Sequence, residues 1–421
     1  MATDYKPLFN PLYLRALILI LPLLIILLAS LGPDDPQYPA IHHNGAQRLS
    51  WIEQPQRPDN ELRLLLPTPL ALNPEQRIIQ QTLARLLLQR LQQPAIQTLL
   101  ASVHDSSVMP RSDHLQISLR WPAGEAMPAL DVLRRALYEA PEPGAMTSTL
   151  ARTRAQAYIE GQEPAQRLLN HLQQQLQPGD NAPAATADVL QQFHQLLDQS
   201  PMLVMGGPDA AQMAEQLIAW APARADETDR TENSQPAEPH SDTLARRAPL
   251  PSPRQPTRLQ LSDPRQPTMY LQGTRMPGRG ADTYAAELLA ISSLQRALAL
   301  RPDETQGRYR LVWQSSRDSG YHALIMDGQP TPRADMLDVA VINDALIDAA
   351  RQQLLSELSA RLQTPEGQLD QLATLAFNNL NGQRLDSILE QLQAVPGDDI
   401  GPIIAQYLAP ETQILITLNA Q

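Results

Sequence analysis

Between Ala16 and Leu31 the chain carries no charged side chain and is mostly Leu and Ile. A water-exposed helix keeps a polar face; this segment has none, so it reads as a bilayer span rather than a core helix. Leu12 and Leu14 lengthen the run, and Arg15 is able to snorkel toward the headgroups. Lys6 and Arg15 precede the span while Asp34 and Asp35 follow it, which predicts an uncleaved signal anchor with the rest of the chain beyond the membrane. In a bacterium that is a single-pass inner-membrane protein with its bulk in the periplasm.

Beyond the span, stretches of period two alternate with stretches of period 3.6. "ELRLLLP" (61–67) and "LQISLRW" (115–121) read as strands, and between them a helix places Ile79, Leu83, Leu86, Leu87 and Leu91 on one face. Helical patterns follow in "MPALDVLRRALYEA", "PAQRLLNHLQQQL" and "ATADVLQQFHQLLDQ", then a short strand, "MLVMGG", and a helix reaching Trp220. The pattern then recurs. "TMYLQGTRM" precedes a helix with Tyr284, Leu288, Ile291, Leu294 and Leu298 on one face; "RYRLVWQSS" and "HALIMDG" are strands; helices follow, the longest within 334–362; "TQILITLNA" ends the series. The spacing between comparable strands also agrees, at 54 residues from Glu61 to Leu115 and from Thr268 to His322. Between the two series, residues 221–256 are rich in proline and mixed charge and poor in apolar side chains, which predicts a flexible linker.

The expected architecture is therefore α+β. An anchor over 1–35 precedes a duplicated pair of domains, 36–220 and 257–421, joined by the linker. Each domain is expected to be a largely antiparallel sheet with helices packed on one face.

Composition narrows the chemistry. A net charge of -12 and the lack of a basic stripe argue against nucleic acid. The chain has no cysteine, which excludes disulfides, thiol nucleophiles and Cys-ligated zinc. Lys6, ahead of the apolar run, is the sole lysine, so the folded part has no P-loop or Schiff-base lysine; no G-x-S-x-G elbow occurs either.

One group of motifs resembles a known family. "QGTRMPGRGADTYAAELLAISSLQRAL" gives a strand, a short loop with Asp282 and a helix rich in small residues. "ALRPDETQGRYRLVWQSS" continues it, and "LDSILEQLQAVPGDDIGPIIAQYLAPETQILITL" closes it with helices and a strand. "SDHLQISLRWPAGEAMPALDVLRRAL" and "QSPMLVMGGPDAAQMAEQLI" match more loosely in the first half. Together they resemble the insulinase/pitrilysin type of zinc peptidase, whose members are built from duplicated α+β domains.

That family's signature is an inverted zinc motif, H-x-x-E-H, on the first long helix, with a further glutamate downstream. Two histidines hold the metal and the motif glutamate activates water. Here the corresponding helix reads "NPEQRIIQQTLARLLLQRLQQ", with no histidine and with Glu75 as its sole acid. The eight histidines offer one close pair, His42 and His43, whose adjacency aims them in different directions. His104 and His114 read as surface residues flanking a loop. The resemblance thus implies a non-catalytic member without zinc or another cofactor.

Some members of the family act as unlike pairs, one subunit carrying zinc and the other helping to hold peptide through an arginine and a tyrosine in its second domain. The resemblance puts Arg301 and Tyr309 in those substrate-binding places, although the register also allows Arg310 at the tyrosine position. The alternative is that Arg301 caps its helix through the macrodipole and Tyr309 packs on the sheet. The implied partners are a zinc-bearing homologue, a peptide or unfolded protein, and the membrane. A peptide- or protein-binding scaffold of the envelope, without a role in proteolysis, is the second reading.

Overall fold

Strand β1 (His42–Asn44) leads through a tight turn into β2 (Leu49–Glu53), and β3 (Asp59–Pro67) follows. Helix α1 (Pro74–Leu91) starts where Asn73 accepts a hydrogen bond from the Glu75 N–H and Pro74 occupies the first turn. After α2 (Pro94–Leu99) come β4 (Asp105–Pro110), β5 (His114–Pro122), α3 (Leu130–Tyr138), α4 (Pro143–Glu160), α5 (Pro164–Leu176), α6 (Thr186–Leu197), β6 (Met202–Gly207) and α7 (Ala210–Trp220). The second series is β7 (Thr257–Ser262), β8 (Met269–Pro277), α8 (Tyr284–Ala299), β9 (Tyr309–Ser315), β10 (Ser319–Asp327), α9 (Asp344–Leu362), α10 (Pro365–Phe377), α11 (Ser387–Ala394), α12 (Ile400–Leu408) and β11 (Ile414–Asn419). This computed structural model describes residues 38–46, 48–177, 183–220, 257–300, 309–317, 319–328, 342–380, 383–409 and 413–420. The expected membrane span and the expected linker lie outside the described residues. Among those described, no helix is long and apolar enough to cross a membrane.

The first sheet has the order β1-β2-β6-β3-β5-β4 and the second β7-β11-β8-β10-β9. Each is mixed. β2 pairs parallel with β6 and β7 with β11, while the remaining pairs are antiparallel. Apart from β1 the two orders are the same, with β2, β6, β3, β5 and β4 corresponding to β7, β11, β8, β10 and β9. Strands β1, β2, β4 and β7 are additions to the pattern read from the sequence. The strands that correspond start 55 residues apart in the first half (59 to 114) and 50 in the second (269 to 319), so the shared spacing of 54 is not a structural equivalence.

Residues Pro39–Gln421 form one compact unit. The expectation of helices on a single face of each sheet is corrected, because each half lends one helix to the other. Successive side chains on a strand point to opposite faces. On β3, Leu62, Leu64 and Leu66 join the core made with α1, α3, α6 and α7. The intervening Glu61 and Arg63 face α10, a helix of the second half. On β8, Tyr270 and Met276 join the core of α8, α9 and α12. Met269 and Leu271 instead pack with Ile325, Ile416 and the α5 leucines Leu168, Leu169, Leu172 and Leu176 of the first half.

A glycine lets each crossing helix come close. A Cβ at Gly273 would lie 2.7 Å from Leu172 Cδ2, and one at Gly206 2.8 Å from Leu369 Cδ1 of α10. A larger residue at Gly206 has to displace the Leu369 side chain, and one at Gly273 meets both Leu172 and the His322 carbonyl, 2.8 Å away on β10.

Candidate functional site

Helix α1 is the counterpart of the zinc helix. An H-x-x-E-H motif needs its histidines one turn apart on one face. Helix α1 carries no histidine at all; one of its faces presents Gln76, Ile79 and Gln80. All three line a cavity of about 210 Å³, closed by Thr68, Pro69 and Ala71 and by the α6 residues Asp188, Gln191, Gln192 and Gln195. The Gln80 amide donates to Thr68 Oγ1 at 2.7 Å, whereas Gln76 Oε1 is buried without a hydrogen-bond partner.

The two carboxylates nearby serve the backbone. Asp188 accepts from the Ala185 N–H at 2.6 Å at the start of α6, and Glu75 accepts from the Ala184 N–H at 2.8 Å. Neutral amides give and take hydrogen bonds but are not the anionic or imidazole donors that zinc selects. These residues do not fit a zinc ion. Among the described residues, no group of three or more His, Cys, Asp or Glu is arranged to hold a metal.

Several of the described histidines are held by neighbouring side chains. His42 stacks on Trp51 with ring centroids 5.4 Å apart, and His43 Nδ1 lies 3.0 Å from Ser50 Oγ. His114 is not the surface residue expected. Its ring packs on Phe377 of α10 at 4.1 Å, and its Nδ1 is 2.8 Å from Asp113 Oδ1. The other Asp113 oxygen accepts from the Arg317 N–H at 3.2 Å, so this turn joins the two halves.

Arg301 lies outside the described residues. Tyr309 opens β9, an edge strand, and pairs with Met326 of β10. Its ring packs beside Leu311 and Trp313 on the α8–α9 core, and its hydroxyl is buried without a partner. Arg310 is exposed, 3.9 Å from Glu163 at the start of α5.

A buried charge cluster at the α10 crossing escaped the sequence reading. Glu61 receives Arg63 Nε at 2.7 Å and Arg120 Nε at 2.8 Å and is also paired with Arg57. Burial works to raise the Glu61 carboxyl, but the Arg63, Arg57 and Arg120 guanidinium groups outweigh it and hold it below its ordinary value. Arg63 continues to Asp370 of α10 at 2.5 Å, and Arg57 lies 3.7 Å from Glu366. Gln54 Nε2 donates to the Pro365 carbonyl at 2.9 Å and to Gln368 Oε1 at 2.8 Å. The available signal was the Glu-Leu-Arg-Leu alternation of 61–64. It placed charges on one face of a strand without showing that this face is covered.

No family model matches the sequence, and no curated protein matches it. Solved structures do. The inactive domain of a peptidase M16 from Pseudomonas fluorescens aligns at 16% identity and TM-score 0.62, covering 90% of this chain and 98% of that one. An M16-like peptidase from Alicyclobacillus acidocaldarius aligns at 11% and 0.61, covering 92% and 99%. The first half of the periplasmic protease PqqL from Escherichia coli aligns at 12% and 0.58, covering 92% and 93%; against the longer PqqL chain the coverage is 48% of that chain. The fold is that of M16-like peptidases, as the resemblance to insulinase/pitrilysin enzymes implied. It is present here in a sequence that contains no H-x-x-E-H motif.

Proposed function

We propose that the protein is a membrane-anchored subunit of the cell envelope that pairs with a zinc-bearing homologue, closes a chamber with it and helps to hold its peptide substrate. The observation that carries this is α1, the first long helix of a peptidase-like fold, which has no histidine and whose one acid, Glu75, stands at its N-terminal end. Pairing is supported by PqqL, in which a stretch matching this chain is one half of a longer protease. Anchoring rests on the uncharged run from Ala16 to Leu31, and a periplasmic location on the charges that flank it. Arg301 and Tyr309 are the proposed peptide-holding donors, a cation and a phenol, and the buried Tyr309 hydroxyl has to be uncovered by a shift of β9 before it bonds a substrate carbonyl.

The test is a pull-down with the solubilised full-length protein, followed by peptide cleavage with the isolated and the mixed components. Capture of a zinc peptidase, with cleavage by the mixture and none by this chain alone, is expected. Arg301→Ala and Tyr309→Ala should each slow the mixture about a hundredfold or more, the scale of one lost transition-state donor. Stoichiometric zinc and cleavage in the isolated protein would overturn the reading. If capture persists and both variants leave cleavage unchanged, the scaffold reading holds instead.

A further inference from the structure

A second cavity, of about 290 Å³, lies inside the helical layer of the first sheet. Leu62 and Leu64 form its floor, and Leu133 of α3, Phe193 and Leu196 of α6 and Leu217 of α7 form its walls. These side chains are all buried, five of them almost completely. Protein interiors seldom leave a void of this size, and a cavity lined by leucine and phenylalanine offers water no partners. Such a lining suits an apolar group.

The lining changes at one end. The exposed Arg134, Tyr138 and Ser200 mark the mouth, and the half-buried Arg48 also belongs to the lining. The Arg134 guanidinium stands 6.0 Å from the centre of the Tyr138 ring. Arg48 is held at φ 50, a left-handed conformation uncommon outside glycine, with its N–H donating to the Gly45 carbonyl and its own carbonyl accepting from Leu203. No carboxylate belongs to the lining. In a chain of net charge -12, an apolar cavity with the exposed Arg134 guanidinium in its lining complements a long apolar chain that ends in an anion.

We propose that this cavity binds a single acyl chain, with its anionic head held at the mouth by Arg134. The site is separate from the α1 cavity and does not rest on the peptidase-like reading. Free fatty acid and membrane phospholipid share the required chemistry, so both are supplied in the test. Full-length protein is labelled with a diazirine-bearing palmitate and, in a second arm, with phosphatidylglycerol vesicles carrying the same diazirine acyl chain, and the labelled peptides are mapped.

Saturable labelling of the β3, α3 and α6 peptides is expected, and the productive arm identifies the source. Excess palmitate should compete at least tenfold better than its methyl ester, which lacks the anion. Arg134→Glu, a change at an exposed position, should cut labelling about tenfold, and Leu196→Trp should block the cavity. Absence of saturable labelling at these peptides in both arms overturns the proposal. So does labelling that Arg134→Glu leaves unchanged in a protein with unaltered circular dichroism.

Discussion

His322 sits in the middle of β10, fully buried against Tyr407 of α12, with the ring centroids 4.2 Å apart and Nδ1 without a partner. Burial pushes its pKa down to about 3, so the folded chain keeps the ring neutral while the unfolded chain protonates near 6.5. The unfolded state therefore binds more protons between those values, and stability falls as pH drops from about 6.5 toward 3. His322→Leu should remove that part of the acid slope, seen as a flatter dependence of the urea midpoint on pH. Glu287, in the first turn of α8, has the opposite sign. Burial raises its carboxyl to about 7 and leaves Oε2 unpartnered, so stability is greatest below about 4.5 and declines as pH rises to 7. Glu287→Gln should abolish that decline; an unchanged slope above pH 4.5 would show that the carboxyl is not strained by burial. Neither residue was legible as special. Periodicity put His322 on a strand and Glu287 on a helix, but an unpartnered buried atom depends on what the opposite layer brings.

The crossing helices show what can and cannot be read at the scale of an element. "PAQRLLNHLQQQL" declares its leucine face, and α5 forms there, yet nothing local says that this face belongs on the sheet of the other half. Helix α4 escaped notice because its buried face mixes Met146 and Leu150 with Thr149 and Thr153, which weakens the apolar stripe. The two crossings also differ in chemistry. The α5 contact is mainly leucine on isoleucine and leucine, whereas the α10 contact includes the Glu61–Arg63–Asp370 chain. Removing the Glu61 charge would leave buried guanidinium groups uncompensated, and Glu61→Gln should cost about 3–5 kcal/mol. Asp370 is 64% exposed, so Asp370→Ala should cost no more than about 1 kcal/mol. Because the Glu61 carboxyl is held below its ordinary value, its contribution is complete above about pH 4.5 and is lost as pH falls through the depressed value. Denaturant unfolding measures both variants, and amide exchange on α10 should quicken selectively in Glu61→Gln; equal losses in the two variants would show that Glu61 is not the hub.

At the scale of the molecule the duplication was legible from element order, since β3–α1 and β8–α8 both follow a strand with a helix after a short loop. The exchange of α5 and α10 was not, because it depends on which layer is left open when each sheet has taken its own helices. That exchange makes the halves mutually dependent. On one side α5 buries Leu168 and Leu172 against Leu271, Ile416 and Ala323, and Gln173 Nε2 donates to the Tyr321 hydroxyl at 2.8 Å. Each fully buried leucine or isoleucine contributes about 1.5–3 kcal/mol, and salt does not screen that contribution as it screens exposed ion pairs. A protease site inserted between residues 221 and 256 should therefore yield two pieces that co-elute on gel filtration even in 1 M salt and separate only in denaturant. Adding Leu172→Ala, which removes side-chain volume at the Gly273 seat, should lower the denaturant needed for separation. Pieces that part in salt alone would mean that the charged α10 crossing, rather than the leucine face of α5, holds the halves together.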